Sequence, residues 1–178
     1  MGPVELFEAA TSLTLARLHG VAPDRSTDPT PCAQWDVQAL IDHIAGGPAY
    51  LLGALGEPVE VSGADASTYA QLRERCLAAL RRPGADAARC VSPLGFEWSV
   101  TEAAAGTFMD QLVHTWDLAV ATGQDTRLDP RLVEACVAMF LPDMPERGRA
   151  AGLIGPAVPV PADASAQVRL LAAMGRQP

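Results

Sequence analysis

Lysine is missing from the chain altogether; all 13 cationic residues are arginine. That excludes a Schiff-base lysine, a lysine general base and a phosphate-loop lysine. Basic charge is scarce in any case, since 13 Arg face 21 Asp and Glu and the net charge is −8. Phosphate binding needs a basic footprint, so neither a nucleic-acid partner nor an anionic membrane surface is expected. Long apolar runs are also lacking. The most apolar stretch, Val37 to Leu55, is interrupted by Asp42, His43 and Gly46-Gly47-Pro48, which argues against a membrane span. The start, Met1-Gly2-Pro3-Val4-Glu5, has neither a basic nor an apolar region, so no signal peptide is expected and the cytoplasm is the default location. The four cysteines (Cys32, Cys76, Cys90, Cys136) show no CxxC spacing and read as reduced, small buried hydrophobes.

What is present is a helical pattern. With 178 residues, 49% of them hydrophobic, the chain suits one domain over 1–178 with a well-buried core. Leu6, Ala9, Leu13, Ala16 and Leu18 suggest a first helix over 4–19, closed by Gly20, with His19 placed to favour its C-terminal dipole. Residues 21–35 form a Pro- and Asp-rich loop. Asp36 caps a second helix with Val37, Leu40, Ile41, Ile44, Leu51, Leu52 and Leu55 on its apolar face. Pro48 predicts a kink or break near Gly46-Gly47. A third helix covers 66–82, with Tyr69, Leu72, Cys76, Ala79 and Leu80 inward. Residues 89–100 have weak strand character, an irregular crossover or a short hairpin.

Thr101 caps a fourth helix over 102–122, with Met109, Leu112, Val113, Trp116 and Val120 as its packing face. Pro130 starts a fifth, which Pro142 and Pro145 end. Residues 152–162 are extended, and Asp163 caps a last helix to about Met174. The expected class is all-α, an up-and-down four-helix bundle with an extra C-terminal helix.

The chain has three histidines, and two of them, His43 and His114, lie inside the most apolar helices. Asp110, His114, Asp117 and Ala121 form a stripe on the fourth helix. Residues four apart share a face, so Asp110 and His114 can address one ion without bending the helix. Together with His43 they make a catalytic-type set, whose three protein ligands leave a position open. An alternative reading of the same residues is a buried hydrogen-bonded couple between His43 and Asp110. Gly47 lies one turn beyond His43 and leaves space beside the imidazole for a substrate. Asp117 is a candidate partner for His114 or a substrate-facing base. Tyr50 and Trp98 are candidates, with Phe96, for the pocket mouth, whereas Trp35 and Trp116 read as core anchors.

Two segments carry a resemblance. Thr30-Pro31-Cys32, Trp35-Asp36-Val37, Leu40, His43 and Gly46-Gly47 resemble the TPC-x2-WDV-x2-L-x2-H-x2-GG signature of the DinB-like superfamily. Asp110, Val113-His114, Trp116-Asp117-Leu118-Ala119 and Ala121-Thr122-Gly123 resemble a second segment of that family. The branch is related to the N-terminal domain of mycothiol-dependent maleylpyruvate isomerase. The resemblance covers nearly the whole chain and implies a helical bundle whose His43, Asp110 and His114 hold a divalent metal. Zinc is the first expectation, with nickel, iron or manganese as alternatives. Two departures stand out. The isomerase has a further C-terminal domain, short of which this chain stops. It also carries Glu where this chain has Asp110, so the ion must sit closer to the helix or bind through a water.

The expected activity is a metal-dependent S-transferase or isomerase that activates mycothiol or a similar thiol toward a small electrophile. The rival readings are a metal-assisted hydrolase, isomerase or cyclase of secondary metabolism, and a non-catalytic small-molecule or metal-binding protein. The expected partner is a small-molecule substrate, with a homodimer the oligomeric state left open.

Overall fold

The computed structural model describes residues 1–178. The chain is mostly helical, with seven α-helices and a single two-stranded sheet. It divides into two compact units, Met1–Thr126 and Arg127–Pro178. No helix is long and apolar enough to cross a membrane.

In the first unit, α1 (Pro3–His19) is opened by Pro3 and by Glu5, whose carboxylate accepts from the Gly2 amide at 2.8 Å. Its buried face is Leu6, Phe7, Ala10, Thr11, Thr14 and Leu18, rotated from the expected stripe, so that Ala16 is exposed. The rotation brings two threonines inside, each with its hydroxyl satisfied. Thr14 Oγ1 meets Thr115 Oγ1 at 2.7 Å, and Thr11 Oγ1 donates to the Phe7 carbonyl while accepting from Arg73 Nε at 3.1 Å.

Asp36 caps α2 (Val37–Ala54), accepting from the Ala39 amide at 2.8 Å. Of the kink or break expected near Gly46-Gly47, the break does not occur; the helix runs through Pro48. Proline lacks the N–H that would bond the carbonyl four residues earlier, that of Ile44. Gln111 supplies the missing donor from α4, its Nε2 reaching the Ile44 carbonyl at 2.8 Å.

Asp65 caps α3 (Ala66–Leu80), and Tyr69, Leu72, Cys76, Ala79 and Leu80 are buried as their spacing predicts. The Tyr69 hydroxyl donates to Gln111 Oε1 at 2.6 Å, so one glutamine ties α3 and α2 to α4. Residues 89–100 form the hairpin alternative: β1 (Arg89–Val91) pairs antiparallel with β2 (Glu97–Ser99), with Cys90 opposite Trp98. The turn needs Gly95 at φ +84°, a conformation other residues rarely adopt.

The hairpin leads directly into α4 (Val100–Thr122). Its cap is Ser99 in a reciprocal box with Glu102, two residues before the expected Thr101. Sixteen of the 23 residues of α4 are buried. Val120, expected on the packing face, instead points outward at 41% exposure. α4 packs against α1 and α2, and α3 packs against the same two helices.

In the second unit, α5 (Pro130–Phe140) begins at Pro130 and packs against α7 (Ala166–Ala173). Between them lies α6 (Met144–Ala150), a helix the sequence pattern did not reveal. α5 ends before Pro142, as expected, and Pro145 occupies the first turn of α6, where a missing amide costs nothing. Ser165, and not Asp163, caps α7 through the Val168 amide.

Candidate metal centre

α2 and α4 run in opposite directions, so His43 meets Asp110 and His114 while Gly47 meets Thr107 and Gln111. His43 Nε2 lies 3.3 Å from Asp110 Oδ1 and 3.2 Å from its Oδ2. His114 Nε2 lies 3.4 Å from Asp110 Oδ1. The two imidazoles meet edge to face with ring centres 4.6 Å apart. One donor atom from each of the three residues falls within 4.8 Å of the others.

These spacings fit a metal ion. Donors bound tetrahedrally at about 2.0–2.1 Å are separated by about 3.3–3.4 Å. The two nitrogen-to-carboxylate distances at Oδ1 have that length already. The set is also sided. The side chains of His43 and Asp110 are 36% and 33% exposed, whereas that of His114 is 9% exposed. Solvent therefore reaches the centre from the His43–Asp110 side.

In the metal-free chain the carboxylate and the imidazole hold each other charged. Burial alone would raise Asp110, but the His114 charge and hydrogen bonds from His114 and His43 outweigh it and keep the carboxyl well below its ordinary range. Burial alone would lower His114, but the Asp110 charge and the bonds to Asp110, Asp117 and Cys32 push it well above its ordinary value.

Behind His114 lies a second set of side chains. Asp117, fully buried, takes His114 Nδ1 at 2.8 Å. That bond fixes the tautomer that aims Nε2 at Asp110, a common arrangement at metal-bound histidines. Asp117 is therefore a positioning residue; with no exposed surface it cannot serve as the substrate-facing base that its spacing also allowed.

Cys32 Sγ lies 3.4 Å from Asp117 Oδ2 and 3.9 Å from His114 Nδ1. Cys32, His114 and Asp117 thus form another potential donor set around the same imidazole. They do not form a nucleophilic triad. In a triad the nucleophile and the orienting acid address opposite ring nitrogens, whereas here both address Nδ1.

Trp35, expected as a core anchor, covers the two imidazoles, with ring centres 4.5 Å from His43 and 5.5 Å from His114. The loop that delivers Trp35 and Cys32 is held by Thr30, whose hydroxyl accepts from the Cys32 amide and donates to the Trp35 carbonyl. Cys32 and Trp35 are the residues that sequence reasoning missed. Their signal was proximity: both fall in the motif that contains His43, within a few residues of its helix cap.

Gly47 does not leave space for a substrate. A Cβ there would sit 2.7 Å from Gln111 Nε2 and 2.9 Å from Thr107 Cγ2, so the glycine permits close approach of α2 and α4. Tyr50 and Trp98 come together, Trp98 Nε1 donating to the Tyr50 hydroxyl at 2.7 Å. No hydrogen bond or ring contact joins either to the three candidate ligands. Trp98 lies over Gly106, where a Cβ would fall 2.6 Å from its ring, one helical turn from Asp110. Burial and the Cys90 thiol push the Tyr50 phenol up to about 12, against the opposing bond from Trp98.

No family model and no solved structure matches the chain. Two curated proteins of Mycobacterium tuberculosis do: Uncharacterized protein MT0763, from strain CDC 1551 / Oshkosh, and Uncharacterized protein Rv0738, from strain ATCC 25618 / H37Rv. Each is 32% identical over 140 residues, covering 74% of this chain and 74% of its own. At that identity and coverage, the chain belongs to the family of these mycobacterial proteins.

Proposed function

We propose that His43, Asp110 and His114 hold a divalent metal ion, and that the chain uses it to activate a low-molecular-weight thiol toward a small electrophile. The activity would be that of an S-transferase or isomerase of the mycothiol-dependent type, on a DinB-like up-and-down four-helix bundle. The observation that carries the reading is the pair of Nε2-to-Oδ1 distances, 3.3 and 3.4 Å, between side chains on two packed helices and open to solvent at His43 and Asp110. Two imidazoles and a carboxylate suit zinc, and also admit nickel, iron or manganese. When bound, the ion supplies Lewis acidity that lowers the pKa of a thiol or polarises a carbonyl.

The chain's own groups do the rest. Asp117 accepts the Nδ1 proton of His114 and so keeps the Nε2 lone pair directed at the centre. Asp110 lies between both Nε2 atoms and supplies the negative charge that offsets a cation. Trp35 covers the imidazoles and limits the approach of water from the loop side. The exposed edge between His43 and Asp110 is where a substrate would enter.

Elemental analysis of the purified protein tests the reading. About one equivalent of a transition metal is expected in the native chain, and none in His43→Ala or His114→Ala. Unchanged metal in either variant would sink the assignment. Thiol conjugation over a panel of electrophiles then tests the activity, with conjugation expected only in the metal-loaded chain.

A further inference from the structure

An open cleft of about 580 Å³ runs beside α2, separate from the three candidate ligands. Gly46, Ala49, Tyr50, Gly53 and Ala54 make its floor at helical spacing, and four of these five are glycine or alanine. The small side chains leave room that nothing fills: a Cβ at Gly46 or Gly53 would meet no atom within 4 Å. That distinguishes them from Gly47 and Gly106, which are spent on close contacts. The facing wall is the segment after α2, where Val59 and Val61 line the cleft and Glu60 between them is exposed.

Arg89 is the only charged side chain that lines this cleft, in a chain of net charge −8. Its Nε donates to Glu97 at 3.1 Å, and its two terminal nitrogens have no protein partner. A guanidinium with free terminal N–H groups matches the two oxygens of a carboxylate. Tyr50 and Cys90 beside it are held in place, since the Tyr50 hydroxyl bonds Trp98, Cys90 and the Val91 carbonyl.

The cleft is also aligned with the candidate centre. Gly46 lies one turn beyond His43, about 4.5 Å along the helix axis, and from Gly46 to Ala54 the floor extends about 12 Å.

We infer that this cleft binds the tail of the substrate: an apolar chain some 10 Å long ending in a carboxylate that Arg89 reads, with the reacting end at His43, Asp110 and His114. The assignment of the reacting end rests on the function proposed above; the anion subsite does not.

The first test is calorimetric titration of the metal-free protein with octanoate and with 1-octanol. Octanoate is expected to bind at least tenfold more tightly. Arg89→Gln should bring the two affinities within about twofold, and Gly53→Leu should weaken octanoate at least tenfold by filling the floor. Both positions are exposed, and circular dichroism establishes that the variants fold. Equal affinities in the unaltered chain, a preference that survives Arg89→Gln, or unchanged binding in Gly53→Leu would each overturn the subsite.

The second test uses 8-mercaptooctanoate on cobalt-loaded protein, read by thiolate-to-cobalt absorbance. Its apparent Kd should be at least tenfold below that of 2-mercaptoethanol read the same way, and at least tenfold below that of octanoate read by calorimetry. No such gain would separate the cleft from the centre and overturn the link between them. A chain that takes up no cobalt yet distinguishes octanoate from octanol through Arg89 overturns the metal reading and upholds the anion subsite.

Discussion

Gln111 Nε2 donates to the carbonyl of Ile44, the carbonyl in α2 whose helical partner Pro48 cannot supply. The proline and the glutamine are thus one device, spread over two helices that also carry the candidate ligands. Gln111→Leu should cost about 1–3 kcal/mol, the usual penalty of a buried polar group left unpaired. In a Pro48→Ala background the backbone regains its own donor, and the cost should fall. Urea unfolding of the two single variants and the double variant measures this coupling. Additive effects would show that Gln111 does not compensate for Pro48.

Adjacent glycines in α2 should respond oppositely to the same change. Gly47→Ala places a methyl 2.7 Å from Gln111 Nε2 and 2.9 Å from Thr107 Cγ2. Overpacking of that kind costs about 1–3 kcal/mol. Gly46→Ala meets nothing within 4 Å and should gain the helix propensity of alanine, about 1 kcal/mol. Thermal melts should move down for the first variant and up for the second.

Asp117 orients His114 without facing solvent, so its neutral isostere separates geometry from charge. Asp117→Asn should weaken zinc binding by about 10–100-fold, the common effect of losing such a partner, while leaving the three ligands in place. Competition against a chromogenic chelator measures it. An unaltered affinity would remove Asp117 from the description of the centre.

The pairing of Asp110 with His114 makes stability depend on pH in the metal-free chain. The His114 pKa is raised, so its contribution is complete below the unfolded value of 6.5 and declines as pH rises through the folded value. The Asp110 pKa is lowered, so its contribution is present above the unfolded value of 3.8 and is lost as pH falls through the folded value. Both act in full between pH 3.8 and 6.5. With chelator present, the urea midpoint should be higher at pH 6 than at pH 9, and His114→Gln should lose most of that difference. Zinc affinity should run the other way and rise with pH, because ligation needs a neutral imidazole.

The cysteines should divide into two classes. Cys32 and Cys90 are half-buried, whereas Cys76 and Cys136 are buried, and burial pushes the latter two thiols up to about 12. A thiol-specific chromogenic reagent should label two groups in the native chain and four after unfolding. Labelling of Cys76 or Cys136 without unfolding would contradict the packing.

Much of the fold was legible because helical spacing reports burial. Tyr69, Leu72, Cys76, Ala79 and Leu80 were all assigned inward and all lie inside. The reading failed where a polar group is buried with its partner. Thr11 and Thr14 belong to the inner face of α1 only because Arg73, Thr115 and backbone carbonyls satisfy them, and those partners are distant in sequence. Proline was read in part: α5 does end before Pro142, but the sequence did not show that a helix follows at once or that α2 continues through Pro48. Pro145 opens a helix, and Pro48 is tolerated because a donor arrives from another element.

At the site, the relation of Asp110 to His114 was readable as one helical turn. Trp35, read as a core anchor, and Cys32, read as a buried hydrophobe, were not connected to the imidazoles, because they reach them from a loop with no periodicity to extrapolate. Gly47 looked like empty space because a sequence does not show that Gln111 fills it.

The burial of α4 has a consequence for amide exchange. A helix with 16 of 23 residues buried, between α1 and α2, has no route to deuterium that leaves its neighbours in place. Amides from Phe108 to Ala119 should exchange only through global opening and so report the whole unfolding free energy of Met1–Thr126. Asp110 and His114 lie within that slowest stretch, so their backbone positions persist for as long as the unit stays folded.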